Sequence, residues 1–452
     1  ASIIVLENLR FFNNWIETDF VDYIFEMNPQ GLLRDSKLNI SNANQANSMF
    51  NLSAQLDGVS INLTNNKGQI DGLDGYLSVN RDGGRLEVDT SNLGLDFNDY
   101  ISNKVILDQA KGEIIWRKNS AGLKVSSKQF ELRNIDFKSN TNIEMSFLTK
   151  SNSPYLDIES SWSIENIMAI KRLVPEDKMN PALYQWMQES IQSGRVTNGK
   201  ARIIGSVENF PFSDRNGIFQ INAQIKDLLL RYAMDWPETN IQDMHLTFDR
   251  NQIYSYKNNL LSNKLELSDA SIEIKDIFNP KLQIQANSTA KLGALHNFMM
   301  ASPIDTFFGK KLKNIKLVGT ADYQFDIHLP LRLAQRKNYN FTTQIKPKNA
   351  RLSVTWIAPA IENLNGIINI SRNDASSEYL NAQFIGKPVL ISLTKATEDR
   401  EFMSSIISME GVTSINAIER DFEYKFNDSL AGENIKYQLS LNIPRYDLPQ
   451  PK

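Results

Sequence analysis

Over most of its length this chain exchanges apolar and polar residues at every second position, and that alternation limits its fold more than any other feature. Ala321, Tyr323, Phe325, Ile327 and Leu329 are separated by Asp322, Gln324, Asp326 and His328. Tyr437, Leu439, Leu441 and Ile443 repeat the pattern near the C-terminus, and Leu52, Ala54, Leu56 and then Val59, Ile61, Leu63 set it near the start. A period of two places every apolar side chain on one face of a strand and every polar one on the other. Such strands belong to antiparallel sheet with one dry face and one wet face. Turn signals recur at short intervals: Asn65-Asn66-Lys67-Gly68, Arg81-Asp82-Gly83-Gly84, Lys118-Asn119-Ser120-Ala121-Gly122, Asp249-Arg250-Asn251 and Ser371-Arg372-Asn373-Asp374. Together they divide the chain into roughly two dozen or more strands, more than one sandwich or barrel holds.

Helical spacing is confined to short stretches. Ile164, Ile167, Met168 and Ile170 fit an amphipathic helix over 164–173, stopped at Val174-Pro175 because proline disfavours helix in the residue before it. Asn180-Pro181 then supplies an N-cap and a first-turn proline, with Leu183, Trp186, Met187 and Ile191 as the buried stripe and Gly194 as C-cap. Strands follow over 200–205, 217–225 and 228–232, with a Phe210-Pro211-Phe212 turn between the first two and Asp235-Trp236-Pro237 closing the last.

A weak repeat runs through the sheet. Residues 70–77 (IDGLDGYL) resemble 361–368 (IENLNGII), and 241–248 (IQDMHLTF) form a third copy. Each copy leads through alternating strands toward a short helix: 164–173, 291–301 with Leu292, Leu295, Phe298 and Met299, and 412–420. Repeats of this kind stack their sheets instead of closing separate cores.

At 452 residues the chain exceeds a single-core domain, and 41% hydrophobic with 10% aromatic residues is enough to bury real cores. A net charge of −3 provides no field for nucleic acid, and basic residues do not interleave with aromatics. Cysteine is absent, which removes disulfides, thiolate metal sites and cysteine nucleophiles together. No run reaches the ~18 apolar residues of a membrane span. His245 and His328 fall at polar positions of alternating strands, and His296 lies in a short helix without a spaced partner, so no metal set forms. No Gly-x-Ser-x-Gly, His-Glu-x-x-His or P-loop occurs, and Asp82-Gly83-Gly84 reads as a hairpin turn. No catalytic residue and no cofactor is expected. The densest basic run, Lys310-Lys311-Leu312-Lys313-Asn314-Ile315-Lys316, reads as a solvated loop and strand edge or as a contact for anionic headgroups.

Six elements in fixed order carry a family resemblance: Leu173-Val174-Pro175, Trp186, Gly194, Phe210-Pro211-Phe212, Gly217-Ile218-Phe219 and Trp236-Pro237. This order resembles the central region of the YhdP-like branch of the AsmA-like proteins. The resemblance implies a β-taco or repeating β-groove rod that carries phospholipid between membranes through the periplasm. It implies acyl chains inside and headgroups at the open seam, with no enzymatic activity. Members of that branch are longer and carry an N-terminal inner-membrane anchor, so the chain is expected to be a middle piece. Its contacts with both membranes would then lie outside it.

The fold expected is mainly β, a long curled antiparallel sheet forming an open groove, with a few short helices. Closure into a sandwich or barrel is not demanded by the alternation. The expected sections are 1–162, a helical insertion at 163–195, a central repeat at 196–300 and a C-terminal set at 301–452. Strands stacked at ~4.8 Å would make some 25 of them on the order of 120 Å long. The strongest alternators give the candidate lining: Phe219, Ile221, Ile225, Leu265, Leu267, Ile272, Ile274, Tyr323, Phe325, Ile327, Leu352, Val354 and Trp356. The alternative is a structural or adhesive β-rod whose dry face is wholly internal.

Overall fold

The structure is a computed structural model that describes residues 3–5, 26–41, 49–63, 68–97, 103–151, 153–174, 176, 179–307, 312–355, 357–372, 375–395, 403–426 and 432–444. Trp356, Pro175, the start of the basic run at Lys310 and parts of two expected turns (65–67 and 373–374) lie outside the described residues.

Strands dominate. The first run comprises β1 (Ile3–Val5), β2 (Gln30–Ser41), β3 (Met49–Leu63), β4 (Gly68–Asn80), β5 (Gly83–Thr90), β6 (Leu93–Asp96) and β7 (Val105–Leu107). It continues with β8 (Gln109–Asn119), β9 (Gly122–Arg133), β10 (Phe137–Leu148) and β11 (Tyr155–Ile164). A 3-10 turn (Ile167–Ala169), α1 (Ile170–Leu173) and α2 (Pro181–Ser190) intervene. Next come β12 (Ile191–Ser206), β13 (Ile218–Leu230), β14 (Thr239–Asp249), β15 (Gln252–Ser262), β16 (Leu265–Ile274) and β17 (Lys281–Lys291), then α3 (Leu292–Met300) and α4 (Ile304–Phe307). The last run is β18 (Ile315–Pro330), β19 (Asn340–Val354), β20 (Ile357–Asn365), β21 (Ile368–Ser371), β22 (Ala375–Phe384), β23 (Lys387–Lys395) and β24 (Met403–Thr413), followed by α5 (Ile415–Phe422) and β25 (Ile435–Pro444).

All 25 described strands join one antiparallel hydrogen-bonded sheet. From β8 to β19 each strand pairs with its neighbours in sequence. Near the start β5 pairs directly with β8, leaving β6 and β7 as a side excursion on β4. No pairing joins β1 to β25 among the described residues, so the sheet stays open. It is nevertheless curled. Leu230 of β13 and Ile327 of β18 border the same small cavity. In a flat sheet five strand spacings would hold them about 24 Å apart.

Local chemistry explains the turns and breaks. Asn80 Oδ1 accepts from the backbone N–H of Asp82 (2.9 Å) and of Gly83 (3.0 Å), closing the β4–β5 hairpin as an Asx turn. The α2 N-cap is as the sequence indicates: Asn180 Oδ1 accepts from Ala182 N at 3.0 Å and Leu183 N at 3.4 Å, with Pro181 in the first turn. Two local expectations are corrected. Gly194 is not a C-cap, because α2 ends at Ser190 and Gly194 sits inside β12 at φ +145°. Residues 217–225 and 228–232 are not two strands. A bulge at Asp227 (φ +54°) resets the alternation within the single strand β13, bringing Leu228 and Leu230 onto the face of Phe219 and Ile225. A short helix stands near each place the repeat indicates, with shifted bounds. Ile164 ends β11, and the first is a 3-10 turn leading into α1. The second is α3, and the third, α5, starts at Ile415 because Val412 and Thr413 belong to β24.

Buried apolar residues form one large cluster over β11–β24 with the helices, and a second over β2–β8. A small third cluster joins Phe50 and Val79.

Candidate functional site

The candidate lining falls on one face. Directly paired residues of neighbouring strands point to the same side. The register runs Ile221–Phe248–Ile253–Ile274–Leu282–Leu329 across β13 to β18, and Ile272–Ile284–Ile327–Phe341 across β16 to β19. In β16 a bulge at Asp269 (φ +49°) lets Leu265 and Leu267 share a side with Ile272 and Ile274 despite odd spacing. Phe219, Ile225, Leu265, Leu267, Ile272, Ile274, Tyr323, Phe325 and Ile327 are buried, while Ile221, Leu352 and Val354 are partly buried. Leu267, Ile272, Phe325 and Ile327 meet around the common cavity, and the other candidates do not border it.

That cavity measures only about 20 Å³. In polar surroundings it would hold a single water molecule. Protein side chains fill the rest. Helix α3 lies on the dry face and buries Leu292, Leu295, Phe298 and Met299, an apolar stripe at helical spacing. The Phe298 ring lies 6.3 Å from Phe325 and 6.0 Å from Trp236, and Trp236 lies 5.9 Å from both Tyr232 and Tyr339. Helix α2 adds Leu183 to the same core, and Trp186 Nε1 donates to the Tyr232 carbonyl at 2.8 Å. At the far end Phe422 of α5 reaches Phe384, ring centroids 6.5 Å apart.

The same face looks different over β8–β12. Its register continues from Phe219 through Ile203, Ile158, Ile143 and Ser127 to Ile114. A parallel row runs Gly205–Leu156–Met145–Val125–Trp116. Ile114, Val125, Ile143, Met145, Leu156, Ile158 and Ile203 are only partly buried, and Phe147 is 41% exposed. None of these eight belongs to any of the three apolar clusters of the described residues. Among the described residues they form an apolar wall outside the packed clusters, although the buried Phe212 ring stands against Gly205 at one end and Ser127 within the row is buried. The candidate lining does not include them. The signal was present in Leu123-x-Val125, Ile143-x-Met145-x-Phe147 and Leu156-x-Ile158. Hydroxyl residues and a bulge at Gln129 (φ +53°) interrupt the pattern and made these strands weaker alternators.

Aromatic rings floor the wall by lying across glycines. A Cβ on Gly199 would sit 2.3 Å from the Trp162 ring, and one on Gly84 would sit 2.3 Å from Trp116. Only glycine permits either approach.

Charge is confined to the wet face. The buried described residues include no Asp, Glu, Lys, Arg or His. The buried polar side chains are neutral: Ser255 Oγ donates to Asn258 Oδ1 and Asn258 Nδ2 to the Ala270 carbonyl, both at 2.9 Å. Burial pushes the Tyr232 and Tyr323 phenols well above their ordinary range, so both stay neutral. Outside, Lys348 and Thr289 hydrogen-bond Asp322 at 2.6 Å each and hold its carboxyl below the usual range. Lys226 does the same for Asp243. His328 lies on the wet face, where its Nε2 meets Asp326 Oδ1 at 3.0 Å. Among the described residues no cluster of His, Asp or Glu could hold a metal ion, and no helix is long and apolar enough to cross a membrane.

The wall is thus neutral, dry and open-edged. The chain is similar to the intermembrane phospholipid transporter YhdP of Escherichia coli (strain K12), 21% identical over 326 residues. That alignment takes in 71% of this chain and 25% of the relative, so it spans a quarter of the relative's length. No solved structure matches. The family model described as YhdP protein matches residues 2–451. With virtually its whole length matched, the chain belongs to the YhdP family.

Proposed function

We propose that this chain is a section of a periplasmic lipid conduit, in which acyl chains of phospholipid lie along the dry face while headgroups stay at the open seam. The reading rests on one observation above all: the wall over β8–β12 is apolar, in register with the core face of β13, and among the described residues its side chains join none of the packed clusters. Burial stabilises an acyl chain by ~0.8 kcal/mol per CH₂. A lining without charge and with few directional hydrogen bonds lets the chain slide, because no position along it is much better than the next. The activity is transfer, not catalysis. The membranes at either end, and the inner-membrane anchor, are met by parts of the protein outside this chain.

The candidate lining of β13, β16, β18 and β19 belongs to the same path, in a section where side chains stand in for lipid. That filled section is also the observation favouring a rod that carries nothing. Lipid extraction and mass spectrometry of the purified chain separate the two. Phospholipid should co-purify, and Ile143→Asp or Ile158→Asp, each placing a carboxylate on the bare wall, should reduce it severalfold with the melting transition retained. Lipid-free protein, or recovery unchanged in both variants, would refute the conduit.

A further inference from the structure

Helix α3 packs on β16, β17 and β18 within the filled section. Its buried stripe projects onto the dry face, and Phe298 fills the space bounded by Leu230, Ile241, Leu260, Ile284 and Phe325 except for the cavity of about 20 Å³. An acyl chain cannot lie beside that ring, since the free volume matches a single small molecule and not a run of methylenes. Trp236 backs the ring from the loop after β13, at 6.0 Å.

The way α3 is held suits displacement. It starts directly from β17 without a side-chain N-cap. Its polar anchors are two: His296 Nε2 bonds the Leu312 carbonyl at 2.7 Å in a partly buried contact, and Asn263 Nδ2 donates to the Asn297 carbonyl at 2.8 Å on the exposed side. Everything toward the groove is apolar contact, which hydrocarbon can replace in kind. On burial energies per methylene, roughly three or four acyl methylenes offset the loss of one buried phenyl ring. Displacement of the Phe298 ring alone by lipid is therefore close to balanced, whereas its displacement into empty space is not.

We infer that α3 is a plug in the groove and that Phe298, backed by Trp236, is the residue that sets whether hydrocarbon passes from the β8–β12 wall into the β13–β19 section. The inference rests on the conduit reading.

The natural chain has no cysteine, so a single introduced thiol reports on its own surroundings. Ile143→Cys marks the bare wall and Ile284→Cys the space beside the Phe298 ring. Each is labelled in the full chain with dodecyl-maleimide and, separately, with a small polar maleimide. Dodecyl labelling should be fast at 143 and at least tenfold slower at 284. Adding Phe298→Ala should accelerate it at 284 about tenfold and leave 143 unchanged, with polar labelling at 284 still slow. Phe298→Leu, which keeps more of the packing, should fall between. Equal dodecyl rates at 143 and 284 in the parent, or no acceleration at 284 in either Phe298 variant, would overturn the plug. Acceleration matched by the polar reagent would also overturn it, because the helix would then be holding the fold together and not gating hydrocarbon. Failure of the dodecyl reagent to outpace the polar one at 143 would instead strike at the conduit reading itself.

Discussion

Strands β8–β11 and β15–β18 are made to the same plan, yet one stretch leaves its apolar face bare and the other fills it. Both are antiparallel, both alternate, and both carry mixed charge on the wet side, as in Lys124–Glu144 (2.6 Å) and, from β18 to the adjoining β19, Asp322–Lys348 (2.6 Å). What differs is the company each keeps. Over β15–β18 a helix, a tryptophan loop and the curl of the sheet bring Phe298, Trp236 and Tyr339 onto the inward face. Over β8–β11 no helix of the described residues packs on the face. Its two apolar rows are bordered by a hydroxyl row in which Thr141 and Ser160 bond each other at 2.8 Å. Alternation makes a dry face; an inserted helix decides whether that face is a core or a surface.

The sharpest way to break this contrast is to remove the same kind of group from each stretch. Phe325→Ala should destabilise the chain by about 3–5 kcal/mol, the cost of a cavity in a packed core. Ile143→Ala should cost about 1 kcal/mol or less, because its neighbours are already open. Denaturant titration followed by tryptophan fluorescence measures both. Similar losses for the two would mean that the wall is packed after all.

This contrast also marks where the sequence stops being legible. The period of two is a property of single residues, so the sheet, its strand number and its dry face can be read directly. The helix positions can be read as well, because Leu292, Leu295, Phe298 and Met299 keep their own spacing. Which stretch of sheet a helix covers depends on curl, and curl accumulates over many strands without a signature at any one of them. Strength of alternation therefore points to the best-packed strands. Phe325 alternates cleanly because it is core. Ile143 and Ile158 sit among Ser127, Thr141 and Ser160, and this interruption, which weakens the pattern, narrows the apolar rows on the wall. The bulges at Asp227 and Asp269 shift parity and hide from a strict two-residue count.

A medium-sized effect sharpens the picture of the wall itself. Gly199→Ala places a methyl 2.3 Å from the Trp162 ring, which must then leave its position on the dry face. The expected loss is about 1–3 kcal/mol, as for other overpacked sites. The companion change Trp162→Leu should recover part of it. If Gly199→Ala is neutral by thermal melting, the ring is not fixed and the wall is less ordered than its backbone.

The smallest expected effect lies at the edge of the β2–β8 core, where Lys104 Nζ meets Asp71 Oδ2 at 2.7 Å and ties the approach to β7 onto β4. The lysine hydrogen bond, with its charge in support, lowers the Asp71 carboxyl below the usual value of 3.8. A carboxylate lowered on folding contributes stability that is present above its unfolded value and fades as pH falls through its folded one. The contribution is therefore constant from neutral pH down to about pH 4 and is lost below that. Both partners are substantially exposed, so water and salt screen the pair and keep the effect small. Asp71→Asn should flatten the acid limb of the stability curve slightly, and 0.5 M salt should shrink the difference between variant and parent. Changes at this pair should leave lipid occupancy of the β8–β12 wall untouched, because it braces a section already closed by Leu73, Leu93 and Leu107. A loss of bound lipid in Asp71→Asn would mean that the closed N-terminal core and the bare wall act as one unit, and the division drawn between them would have to be given up.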